Sequence, residues 1–163
     1  MRSWRTALIV CASVFALDQL SKWAMLTHVL NPPRIIPLLS FFNFRLGFNT
    51  GISFGMFSDL LAGSPWLLIV FALAVAAVLL AWAMRTEQPM ERTALALIAG
   101  GALGNVTDRW RQGAVTDFLD LHWNEWHWPN FNIADVAITV GCLLLVLSNV
   151  KAGQPTKNAT KPV

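Results

Sequence analysis

The chain has 163 residues, 55% of them hydrophobic and only 13% charged, with eight tryptophans and no tyrosine. A soluble domain carries about a quarter charged residues, so this deficit and a mean hydropathy of +0.52 exclude an ordinary soluble domain and indicate a membrane protein. The net charge of +3 comes from lysines and arginines in short loops, where it sets topology, and no nucleic-acid partner is expected.

A helix needs roughly 20 apolar residues to cross about 30 Å of hydrocarbon. The first such segment, residues 6–26, carries Asp18 and Lys22. They are neighbours on one helix face, with the acid first, the favourable order for an ion pair. Two readings stay open: a pair that makes both charges tolerable in the span, or a pair facing a site. An ionisable group at membrane depth costs on the order of several kcal/mol and is a functional hypothesis by default. Arg2 and Arg5 before an apolar run imitate a secretory signal. The run reaches full spanning length without a closing small-x-small site, so it reads as a retained span.

The first loop, residues 27–63, alternates Phe42, Phe44, Leu46 and Phe48 with Asn43, Arg45 and Gly47, a period of two that predicts a strand. Asn49-Thr50-Gly51 reads as a turn, after which Ile52, Phe54 and Met56 resume the alternation, so a small hairpin is expected here. Residues 64–84 contain no charge and form the clearest span; residues 85–92 are a short polar loop.

The third span, residues 93–110, ends in Gly100-Gly101-Ala102-Leu103-Gly104-Asn105-Val106-Thr107-Asp108-Arg109. Gly100 and Gly104 make a small-xxx-small ridge for close helix packing. Asn105 and Asp108 share a face, with Arg109 beside them. Asp108 and Arg109 are either a helix-end charge pair or part of a site.

In the second loop, residues 111–132, Val115, Asp117, Leu119, Leu121 and Trp123 fall on one face of a predicted strand, so Asp117 lies on its more apolar side. His122 and His127 lack HExxH spacing and read as polar members of an interfacial loop. Cys11 and Cys142 both lie mid-span and support neither a disulfide nor a metal pair. Asn132-Ile133-Ala134-Asp135 opens the fourth span, residues 133–150, with an N-cap Asn and an acid three residues on, a capping-box pattern. The helix N-terminus favours the Asp135 carboxylate. Residues 151–163 have the composition of a flexible tail.

The expected fold is therefore an all-α membrane protein, four transmembrane helices with a small extracytoplasmic hairpin or strand region, residues 1–150 forming one domain. With the N-terminus inside, seven basic residues (Arg2, Arg5, Arg85, Arg92, Lys151, Lys157, Lys161) lie on the cytoplasmic side and four (Arg34, Arg45, Arg109, Arg111) opposite. That bias places both termini in the cytoplasm. It also gathers Asp108, Asp117 and Asp135 at the other membrane face, where capping alone does not account for three carboxylates.

Two of these carboxylates suffice for peptide hydrolysis. Close carboxylates share a proton; the ionised member takes a proton from attacking water, and the protonated member donates to the scissile carbonyl oxygen. A helix N-terminus favours an ionised Asp135, an apolar face a protonated Asp117. A Ser–Lys nucleophile is conceivable from Ser21 or Ser53 with Lys22, but no surrounding pattern singles out either serine. Intramembrane Asp, Lys and Asn also build proton and ion pathways; here the acids cluster at one interface and do not ladder across the bilayer. A third reading is a scaffold whose polar residues only join helices.

The motifs, taken together, resemble lipoprotein signal peptidase (signal peptidase II), a bacterial membrane aspartyl protease family. The resemblance is carried, in order, by Asp18-Gln19-Leu20-Ser21-Lys22, Asn49-Thr50-Gly51-Ile52-Ser53-Phe54, Gly100 through Arg109, Val115-Thr116-Asp117-Phe118 and Phe131-Asn132-Ile133-Ala134-Asp135. It implies Asp117 and Asp135 as the catalytic pair, Asn49, Gly51, Asn105, Arg109 and Asn132 lining the substrate site, and Asp108, Asp18 and Lys22 in support. It further implies an inner-membrane enzyme acting on diacylglyceryl-modified prolipoproteins, cut just before the lipidated cysteine. Membrane lipids would be its other partners and the chain a monomer; no metal or organic cofactor is implied.

Overall fold

The computed structural model describes residues 3–51 and 65–152. Among the described residues there are four long helices and a small antiparallel sheet. Helix α1 (Ser3–Ala24) continues through a π-helical turn, Met25–Val29, and α2 (Pro65–Arg85), α3 (Pro89–Gln112) and α4 (Ile133–Ala152) complete the bundle. Strands β1 (Ile35–Leu39) and β2 (Phe42–Asn49) precede α2; β3 (Val115–Trp123) and β4 (Trp126–His127) lie between α3 and α4.

Among the described residues, three helical segments are long and apolar enough to cross a membrane: Trp4–Val29, Trp66–Arg85 and Ile133–Val150. They leave large apolar side chains uncovered, among them Leu17, Leu20, Phe71, Val78 and Leu143. Helix α3, expected as the third of four spans, is long enough at 24 residues but less apolar. It packs against α1, α2 and α4, and its buried positions include Ala94, Leu95, Ala96, Ala99, Gly100, Gly101 and Gly104, with Glu91, Val106 and Asp108. Small residues serve this central place because they let backbones approach closely. A Cβ added at Gly100 would stand 2.6 Å from the Cys11 carbonyl oxygen on α1, and one at Gly101 2.5 Å from the Ala134 carbonyl oxygen on α4. Gly104, one turn on from Gly100, faces the Asp18 carboxylate. Pro89 at the start of α3 and Gly113 after its end, at φ 76°, bound the helix.

The sheet has the order β1-β2-β3-β4. The strand expected from the Phe42–Phe48 alternation forms, but its hairpin partner lies before it: β1 returns through Ser40 and Phe41, pairing Ile36 with Phe44 and Pro37 with Asn43. The expected continuation at Ile52, Phe54 and Met56 lies outside the described residues. On its other edge β2 pairs with β3, joining the two loops that the sequence presents as separate and setting Gly47 opposite Asp117 and Asn49 opposite Val115. Leu30, Phe118 and Leu119, with Phe42, Phe44, Leu46, Phe131 and Ile133, form the apolar core under the sheet.

Candidate active site

The site begins at the first turn of α4. The Asp135 N–H donates to Asn132 Oδ1 at 3.0 Å, and the Asn132 N–H donates to Asp135 Oδ2 at 3.1 Å. This is the reciprocal capping box read from the sequence, and it fixes the direction of both side chains. With its oxygen so engaged, Asn132 points its amide nitrogen towards β3, donating to Asp117 Oδ1 at 2.7 Å and to Asn105 Oδ1 at 3.2 Å. Asn105, on α3, returns a bond from Nδ2 to Asp135 Oδ1 at 2.9 Å. Two amides therefore tie Asp117 and Asp135 into one network.

Asp117 is only 4% exposed. Burial, followed by the negative charge of Asp135, pushes its carboxyl from 3.8 up to about 7, against the opposing Asn132 bond and the charges of Lys22 and Arg109. Asp117 lies behind the cleft surface, whereas Asp135 lines it. That cleft, about 600 Å³, is bounded by α2, α3, α4, β3 and the 128–131 segment. Asn49, Asn105, Arg109 and Asp135 form its polar end; Phe71 and Val140 are among its apolar walls.

Lys22 supports the network from beneath. Its three ammonium protons have three acceptors, Asp18 Oδ2 at 2.8 Å, Asp108 Oδ2 at 2.9 Å and Asn105 Oδ1 at 3.0 Å. A buried ammonium so matched leaves neither itself nor its carboxylates unpaired. The Asp18–Lys22 pair is an ion pair, and its lysine also contacts Asp108 and Asn105. Asp18 Oδ1 accepts the Ala134 N–H at 2.9 Å, bracing the start of α4. Asp108 Oδ2 accepts the Thr116 N–H at 3.1 Å, bracing β3 one residue before Asp117.

Asp108 and Arg109 do not pair with each other among the described residues, since successive helical positions point about 100° apart. Arg109 donates from Nη2 to the Gly51 carbonyl at 2.6 Å, holding the turn in which Asn49 Oδ1 accepts the Gly51 N–H at 2.9 Å. Ten residues singled out in the sequence thus meet in one region: seven in the network, with Asn49, Gly51 and Arg109 at the adjoining cleft. Gln19, to which the sequence reading assigns no role although it lies within the Asp18–Lys22 motif, reaches Asp18 Oδ2, the Gly104 carbonyl and Asp108 Oδ1 through Nε2.

The family model described as Signal peptidase (SPase) II matches residues 10–151. Curated proteins named lipoprotein signal peptidase are similar over most of their length. That of Sphingopyxis alaskensis is 44% identical over 156 residues, covering 92% of this chain and 90% of its own. That of Rhizorhabdus wittichii is 43% identical over 151 residues, covering 90% and 86%. A solved bacterial membrane enzyme, determined by the in meso method at 2.3 Å resolution, superposes with a TM-score of 0.80 at 25% identity, covering 96% of this chain and 94% of that one.

Proposed function

The chain belongs to the signal peptidase II family, and from that membership we propose a membrane aspartic endopeptidase that removes signal peptides from diacylglyceryl-modified prolipoproteins, cutting just before the lipidated cysteine. The observation that carries the two-carboxylate chemistry is Asn132, which bonds the Asp117 carboxylate through its nitrogen and the Asp135 backbone through its oxygen.

Asp117, held at about 7 by burial and the Asp135 charge, is the proton-bearing member near neutral pH. Asp135, at a helix N-terminus that favours negative charge, takes a proton from water as the oxygen attacks the scissile carbonyl carbon. Asp117 gives its proton to the carbonyl oxygen, forming a neutral gem-diol. On collapse the amide nitrogen leaves with the proton from Asp135, and a diol proton returns to Asp117, restoring the starting state. Asn105 and Asn132 hold the carboxylates, and Asn49, Gly51 and Arg109 border the substrate. Asp18, Lys22 and Asp108 brace α4 and β3.

Helix α3 is proposed as the remaining span, third in chain order: three helices surround it, so it meets less lipid and needs less apolarity. One domain then covers residues 1–150, with 151–163 a flexible cytoplasmic tail. The seven-to-four basic bias supports both termini in the cytoplasm, with the sheet and site at the opposite face; the inner membrane is what the family membership suggests. The test is cleavage of a diacylglyceryl-modified prolipoprotein by the purified protein beside Asp117→Asn and Asp135→Asn variants of equal thermal stability. Cleavage by wild type and neither variant supports the reading; cleavage surviving either change overturns the pair, and an inactive, folded wild type overturns the activity.

A further inference from the structure

Strand β3 carries a second buried carboxylate that the proposed chemistry does not use. Asp120, three residues beyond Asp117 and so on the opposite face of the strand, has 0% of its surface exposed. Asn43 on β2 donates from Nδ2 to its Oδ2 at 3.1 Å, and His127 on β4 places Nδ1 2.7 Å from its Oδ1. The His127 ring stacks on His122, with ring centres 5.1 Å apart.

His127 ends β4, and the chain runs directly into residues 128–131, which form one wall of the cleft holding Asp135. The wall is bonded to the sheet through Trp128, Asn130 and Phe131, and the Phe131 carbonyl also accepts the Phe118 N–H at 3.0 Å and the Leu119 N–H at 2.9 Å. The Trp128 N–H donates to the Leu121 carbonyl at 2.8 Å, the Phe131 N–H to the Leu119 carbonyl at 3.0 Å, and Asn130 Nδ2 to the Arg45 carbonyl at 2.9 Å. Asn132, the partner of Asp117, follows at once. Residues 123–129 are all exposed, so packing holds this segment weakly, and the strongest fixed point at its start is a side chain bonded to a buried carboxylate.

We infer that Asp120 and His127 are positioning residues: their contact sets the 128–131 wall of the cleft and thereby substrate affinity, leaving the chemical step to Asp117 and Asp135. The affinity part rests on the peptidase reading; the positioning part stands without it. Two variants separate them. His127→Phe keeps a ring and loses the donor, whereas His127→Gln restores a donor at an exposed position.

Amide hydrogen exchange at Trp128 and Phe131 is expected to quicken roughly tenfold in His127→Phe, the scale set by losing a bond to a charged group, and to return towards wild type in His127→Gln. Exchange in the four helices stays unchanged. With the lipidated prolipoprotein, KM is expected to rise about five- to tenfold in His127→Phe, with kcat within about twofold and recovery in His127→Gln. Unchanged exchange at both amides overturns the positioning role whether or not the protein cleaves anything. Faster exchange with unchanged KM, or with kcat and KM worsening alongside thermal stability, overturns the link to substrate. A wild type that folds but does not cleave overturns the peptidase reading and the affinity claim with it, while the exchange experiment still decides the positioning role.

Discussion

Asn132 stands 2.7 Å from Asp117 through its amide nitrogen while its amide oxygen caps the Asp135 backbone, so one side chain is both a helix cap and a carboxylate partner. The two functions are separable. Asn132→Ser keeps an oxygen that caps the helix but loses the nitrogen donor. Its thermal midpoint is expected within a few degrees of wild type, because capping by Ser and Asn differs by only a few tenths of a kcal/mol. Its cleavage rate is expected to fall at least tenfold, the loss of one positioned bond. Full activity in Asn132→Ser with loss only in Asn132→Ala would show that the cap alone matters.

The pH dependence follows from Asp117. Its carboxyl is raised from 3.8 to about 7, burial first and the Asp135 charge second. A raised value means that folding favours the protonated form. The associated stability is therefore fully present below about 4 and is lost as pH climbs to about 7. Asp117→Asn is expected to flatten that part of a thermal-midpoint profile in detergent. The cleavage rate of the wild type is expected to decline above pH 7, where the pair loses its shared proton. A rate level from acid to strongly alkaline pH would rule out a proton shared by the pair.

Lys22 holds two buried carboxylates, Asp18 at 2.8 Å and Asp108 at 2.9 Å. Lys22→Met leaves both without their cation and is expected to destabilise the fold by about 3–5 kcal/mol. Adding Asp18→Asn removes one stranded charge and is expected to recover part of that loss. Denaturant titration of the single and double variants reads both numbers; a single variant as stable as wild type would mean that the ion triad contributes nothing.

Gly101 meets the carbonyl of Ala134, next to Asp135, with no room for a side chain: a Cβ there would stand 2.5 Å from that oxygen. Gly101→Ala is expected to push α4 from α3 and cost about 1–3 kcal/mol, with cleavage reduced beyond the change in folded fraction, because the Asn105–Asp135 bond spans the same helix pair. Gly113→Ala, at an open position with φ 76°, is the control: it strains a helix end and is expected to lower stability without that excess loss of activity.

Much of this site is written in local sequence. Composition and apolar run length determine that the chain lives in a membrane and where its helices fall, because hydrocarbon forces every backbone group into internal bonds. The capping box at Asn132 and Asp135 and the pair of Asp18 with Lys22 are equally local, being set by helix periodicity. The period of two puts Asp117 on the more apolar face of its strand, but residues 115–120 are buried on both faces. Only the tertiary structure decides what each buried face is buried against. It gives Lys22 a second carboxylate, Asp108, 86 residues away by their numbers. It joins β2 to β3, so that Gly47 lies opposite Asp117, and gives Asp120 its partners Asn43 and His127. Periodicity reports that a side chain is hidden from solvent; the identity of its neighbour depends on how distant segments satisfy one another's charges and hydrogen bonds at once, which no single segment encodes.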